Sequence, residues 1–154
     1  MISPRRSYQQ SEAVRFARNG LVADGSTAAS IREELVGWIR RHLDLSETRT
    51  CDVLLAVNEA LANAAEFAYL DLDPADDAFG TVDLDVAHDP RRSALMVTVA
   101  DHGRWRQPDE RYSKLSRGRG IPLMHVLADA AIIDVSLSGT TVRLRFDGVC
   151  PKVL

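Results

Sequence analysis

Residues 81–100 restrict the fold more than any other stretch. In "TVDLDVAH", Val82, Leu84 and Val86 alternate strictly with other residues, the period of a half-buried strand. "ALMVTVA", 94–100, reads as a second strand of more buried character. Only "DPRRS" separates them, and a parallel crossover needs a dozen residues or more, so the pair forms an antiparallel hairpin. "AIIDVSL", the turn "SG" and "TTVRLRF" predict a further hairpin. A shorter strand is expected within 13–23.

Helical spacing occupies other segments. Ile31, Leu35, Trp38, Ile39 and Leu43 follow the helical period, with Ser26 or Thr27 placed to cap the helix. Ser46 is placed to cap the next, in which Val53, Leu54, Val57, Leu61, Ala64, Ala65 and Ala68 make a broad apolar stripe. "DLDPADDAFG", 71–80, is an acidic turn-rich loop, and 101–120 is a long loop holding five arginines and a lysine among glycines. A loop of that length in a compact domain usually serves as a lid or binding loop. "IPLMHVLADA" follows as a helix with Pro122 in its first turn. Helices clustered with antiparallel hairpins predict an α+β two-layer sandwich, the helices on one face of a mostly antiparallel sheet.

A chain of 154 residues supports one domain with a substantial core, expected over 13–154 behind a mobile N-terminus, 1–12. The net charge of −3 gives no global attraction for nucleic acid. Apolar runs are too short to span a bilayer. Cys51 and Cys150 are far apart and lack metal-ligand spacing, so a reduced cytoplasmic protein is the simpler reading.

Four small constellations carry possible chemistry. In "AVNEALANAAEFAY", 56–69, Glu59 and Asn63 stand one helical turn apart and project from one face. They form either a solvated polar edge or a site: an amide oxygen suits Mg²⁺, and a carboxylate suits proton abstraction. Ala60, Ala62, Ala64 and Ala65 are expected to leave room for a bulky ligand near the backbone. In "VADHGRW", Asp101 follows a strand; it either initiates a turn or accepts a hydrogen bond from an exocyclic amine such as that of adenine, and Gly103 admits a flat ring. "RGRGIPLM" sets Gly118, Arg119 and Gly120 before a helix, either a basic flexible loop or an anion site. In "GTTVRL", alternation turns Thr140 with Val142, Leu144 and Phe146 toward the helix layer, where backbone or a ligand satisfies its hydroxyl.

In this order the four pieces resemble the ATP-binding domain of the GHKL superfamily, and most closely its compact bacterial branch of anti-sigma factor serine-protein kinases. "NEALANAAEFAY" is similar to that branch's first box, E-A-x-x-N-A-x-x-H-A-Y; "DHGRW" matches its D-x-G box, "GRGIPLM" its lid-end glycine box and "GTTVRL" its final box. The resemblance covers about residues 26–146 and implies a Bergerat-type ATP-binding fold. It implies that Asn63 coordinates Mg²⁺ on the triphosphate. Asp101 would read the adenine amine, with Gly103 beneath the ring and Thr140 near the same edge through water. Gly118, Arg119 and Gly120 would cradle phosphates as the lid closes, and Glu59 would be the general base.

The implied cofactors are ATP and Mg²⁺. The implied partners are an anti-sigma-factor antagonist protein and a sigma factor, with a homodimer possible. Two residues depart from the pattern: Phe67 stands where the branch usually has histidine, and Arg104–Trp105 follow Gly103 in place of a second glycine. The leading expectation is a serine/threonine protein kinase, cytoplasmic, with no direct contact to nucleic acid or membrane. The alternative is a nucleotide-gated protein-interaction module with weak or no phosphotransfer. A nucleic-acid-binding domain built on the arginine-rich loop ranks third, and a sensor histidine kinase is disfavoured because no dimerisation helix pair with a phosphoacceptor histidine precedes the domain.

Overall fold

The computed structural model describes residues 14–22, 24–67, 80–102, 120–136 and 139–153, at 65–67 and 120 the backbone alone. The expected N-terminal segment 1–12 and most of both long loops lie outside the described residues.

Strand β1 (Arg15–Val22) leads to helix α1 (Gly25–His42). The cap of α1 is Asp24, not Ser26 or Thr27: its extended backbone turns the carboxylate onto the amide of Thr27 at 2.7 Å. Arg40, Arg41 and His42 fill the last turn, where positive charge complements the helix dipole. Ile31, Leu35, Trp38 and Ile39 are buried, as their spacing predicts. At Leu43 the backbone becomes extended, and a two-residue strand β2 (Leu43–Asp44) begins.

Helix α2 (Glu47–Phe67) starts on Ser46, whose Oγ accepts from the amide of Arg49 at 3.1 Å and whose carbonyl accepts from Thr50. Its buried stripe is Val53, Ala56, Val57, Ala60, Leu61 and Ala64. This stripe lies on the sheet, with α1 packed along one side of α2 and the third helix along the other.

Strands β3 (Thr81–Asp89) and β4 (Ala94–Asp101) are the expected hairpin. Val82, Leu84, Val86 and His88 face inward from β3, and Leu95, Val97 and Val99 from β4. The more buried character expected of β4 resolves into a one-sided pattern, because Met96, Thr98 and Ala100 are half-exposed on the face away from the described helices. Helix α3 (Gly120–Leu127), β5 (Ala130–Ser136), β6 (Gly139–Asp147) and a two-residue β7 (Cys150–Pro151) complete the chain's described elements.

The main sheet has the order β1-β3-β4-β6-β5, and each of its pairings is antiparallel. β1 sits at an edge, and its register shifts between Arg18 and Leu21 around Gly20, whose φ of 65° suits glycine. β2 and β7 pair as a separate ribbon that the sequence pattern did not indicate. One face of the sheet carries the helices and encloses the core, giving the α+β two-layer architecture expected. Cys51 and Cys150 are both exposed and unbridged. No helix of the described residues is long and apolar enough to cross a membrane.

Candidate active site at the Asp101 end of the sheet

Two contacts fix how α2 lies on the sheet. Near its start, the guanidinium of Arg49 donates to the carbonyl of Leu127 at 3.2 Å, pairs with Asp129 and stands 5.3 Å from the centre of the Phe146 ring. Phe146 is the register partner of Leu95, at the start of β4. Toward its end, Leu61 lines one small pocket together with Val82, the register partner of Asp101. Helix α2 therefore runs in the direction of β4. From Arg49 to Asn63 is about 21 Å of helix, and Leu95 to Asp101 is about 20 Å of strand. Asn63 thus reaches the end of the sheet that carries Asp101.

Asp52, Glu59 and Asn63 fall on one flank of α2, beside the edge of its buried stripe at which Arg49 stands, at about 100° per residue. Arg49 touches the last turn of α3, so this flank faces α3. Glu59 and Asn63 are both half-buried. α3 ends beside Arg49 and packs along α2, and its eight residues lead back about 12 Å from that point.

The role expected of the alanines needs correction. Ala60 and Ala64 are 1% and 4% exposed and belong to the core under α2. Their small side chains let the helix approach the sheet closely and do not open space for a ligand. Ala62 is half-buried, and the side chain of Ala65 lies outside the described residues.

Asp101 ends β4 on the inner face, continuing the alternation of Val97 and Val99. Its Oδ1 accepts from the amide of Thr140 at 3.1 Å. Thr140 is half-buried and shares the inner face with Val142, Leu144 and Phe146, as expected. Gly139 is closer still. Its φ is 139°, and a Cβ there would collide with the carbonyl of Asp101.

His102 turns to the opposite face, where its Nε2 lies 2.8 Å from Asp83 Oδ2. Asp83 Oδ1 accepts from the amide of Gly20 at 2.7 Å. The Gly20 N–H, and next the His102 hydrogen bond, hold the Asp83 carboxyl below the usual carboxylate range.

Of the residues singled out in the sequence, Glu59 and Asn63 lie on one flank of α2, Gly120 is the first residue of α3, and Asp101 and Thr140 are in contact. Gly103, Gly118 and Arg119 lie outside the described residues, as does the side chain of Phe67. The sequence reading missed Gly139 as a contact of Asp101, taking it as a turn residue. It also missed Asp83, Gly20 and His102. Neither Gly139 nor Asp83 carried a local signal for these contacts, since their partners are distant in sequence.

A family model described as a histidine kinase-like ATPase domain matches residues 21–146. A search of curated proteins finds no match. Among solved structures, the chain is similar to the RsbU and RsbW domains of Rv1364c from Mycobacterium tuberculosis, with a TM-score of 0.66 and 22% identity. The likeness covers 89% of this chain and 33% of that one, and at this identity it is a likeness of fold.

Proposed function

This chain belongs to the histidine kinase-like ATPase domain family, and from that premise we propose that it is an ATP-dependent serine/threonine protein kinase acting as an anti-sigma factor. Its substrate is a serine or threonine hydroxyl of an anti-sigma-factor antagonist, and its regulatory target is a sigma factor. The work is cytoplasmic, done by a single kinase domain over residues 13–154. The observation that carries the reading is convergence. The Glu59–Asn63 flank of α2 runs toward the end of the sheet that carries the Asp101–Thr140 contact, on its helix side, which supports one shared site there.

The residues fit Mg²⁺-ATP. Asn63 offers a half-buried amide oxygen, a hard donor, from a rigid helix. Among the described residues no group of three or more His, Cys, Asp or Glu side chains gathers around a cation. Such a site suits an ion that shares phosphate oxygens and keeps water better than a closed protein cage. Bound there, Mg²⁺ would neutralise charge on the triphosphate.

In this mechanism Asp101 accepts from the adenine 6-amine, and Thr140 lines the same edge through water. Gly103 would lie beneath the ring. Gly118, Arg119 and Gly120 would hold phosphate oxygens with backbone amides and one guanidinium, and the dipole of α3 would add to them. Glu59 takes the proton from the attacking hydroxyl as its oxygen bonds to the γ-phosphorus. The bond from that phosphorus to the β–γ bridging oxygen breaks, and ADP leaves. Positioning and charge neutralisation supply most of the rate.

Calorimetry with and without Mg²⁺ tests the metal assignment: Asn63→Ala is expected to abolish Mg²⁺-ATP binding, and tight binding retained in that variant contradicts it. Glu59→Ala is expected to keep binding while phosphotransfer from radiolabelled ATP to a candidate antagonist falls about 10²–10⁴-fold. The second reading, a nucleotide-gated interaction module, is favoured by Phe67 in place of the usual histidine. It expects ATP-dependent partner binding with no labelled product.

A further inference from the structure

We propose that Asp83 is a positioning residue for adenine recognition, acting through His102 on Asp101; this rests on the nucleotide reading above. Asp101 and His102 straddle the sheet. Asp101 continues the inner face, toward the helices. His102 follows it and turns to the outer face. Asp83 lies on that outer face, opposite Ala100, between the buried Val82 and Leu84. His102 is its diagonal neighbour on β4, within reach of an imidazole ring.

Asp83 makes two directed contacts. Oδ1 takes the Gly20 amide at 2.7 Å, in the bulge of β1, and Oδ2 meets His102 Nε2 at 2.8 Å. An ionised carboxylate only accepts, so Nε2–H is the donor. The neighbouring charged pair on this face, Arg15 with Asp85, is engaged with itself. The side chain of His102 is 59% exposed, so the pair adds little to stability. Its consequence is geometrical. β4 has no register partner on β6 beyond Ala100, which faces Thr141. On the inner side the Thr140 amide holds the Asp101 carboxylate at 3.1 Å. On the outer side the Asp83–His102 contact holds the next residue. Together they fix the direction in which the Asp101 carboxylate is presented.

The test is discrimination between ATP and inosine triphosphate, which carries a carbonyl where adenine carries its amine. Wild type is expected to bind ATP more tightly. Asp83→Ala and His102→Phe are each expected to reduce the ATP-over-inosine ratio about three- to tenfold, the range one oriented hydrogen bond supplies. Affinity for inosine triphosphate itself should hold. His102→Gln, which keeps a donor of similar reach, is expected to retain most of the ratio. An unchanged ratio in both Asp83→Ala and His102→Phe overturns the proposal, as does equal weakening of both nucleotides. A wild-type chain that binds nucleotide with no preference overturns the adenine reading itself and this proposal with it.

Discussion

Gly139 and Asp101 meet backbone to backbone where β6 begins and β4 ends. Any side chain at 139 would collide with the Asp101 carbonyl, and the φ of 139° is closed to other residues. Gly139→Ala is therefore expected to destabilise the chain by about 2–4 kcal/mol. Thermal unfolding checks this, and a loss under 1 kcal/mol would mean that the strand ends separate easily. At this scale part of the proposed site was legible. A carboxylate and an amide at i and i+4 must share a helix flank, and alternation from Val142 back to Thr140 places that hydroxyl inward. Gly139 was visible only as a turn glycine, because the collision that requires it comes from another strand. Asp83 looked like any outward residue of an alternating strand; its partners Gly20 and His102 belong to β1 and the end of β4.

Elements are joined most tightly where α2 begins and α3 ends. Asp129 accepts from the amide of Asp147 at 2.7 Å and pairs with Arg49, which also donates to Leu127. The Asp147 N–H, ahead of the Arg49 charge, keeps the Asp129 carboxyl below its ordinary value. A lowered folded value means that the stabilisation is present above the unfolded-state pKa and is lost as pH falls through the folded one. Arg49→Ala is expected to cost about 1–3 kcal/mol at pH 7, through the lost charged hydrogen bonds and the contact with Phe146. The deficit should shrink only as pH falls below the ordinary carboxylate range, toward the lowered folded value at which Asp129 protonates. Urea unfolding at pH 7 and pH 3 measures both; a deficit independent of pH would remove Asp129 from the account. Element periods were legible wherever one face packs against another layer, as in β3 and α1. β2 and β7 were not, since two residues have no period and their pairing depends on where the chain returns. The cap on α1 was misplaced for a related reason: several residues near Asp24 have capping oxygens, and only the backbone angles select one.

Across the whole molecule, the chemistry proposed here sits at one end of the sheet and the far end is closed by the segment after β6. Val149 is fully buried, its amide donates to the carbonyl of Ser93 in the β3–β4 turn, and its own carbonyl lies 2.7 Å from Nε2 of the buried His88. Lys152 then joins α1, donating its amide to His42 at 2.7 Å and its ammonium to the Arg40 carbonyl at 2.6 Å. This segment ties the helix layer to the hairpin turn, a role that no local pattern in the sequence reveals. Carbonyls accept, so His88 must present Nε2–H, and removing the ring strands a buried oxygen. His88→Ala is expected to cost about 2–4 kcal/mol, combining an unpaired carbonyl with a cavity, and Val149→Ala about 1–3 kcal/mol. Because Leu95 and Asp101 are separated by about 20 Å of strand, the nucleotide end should be spared. Both variants are therefore expected to bind Mg²⁺-ATP with wild-type affinity at temperatures where they remain folded. Urea unfolding and calorimetry on the same samples separate the two quantities. Loss of nucleotide affinity in a folded His88→Ala protein would mean that the two ends of the sheet are coupled through β3 and β4, and the proposed site would then have to be drawn to include the far end.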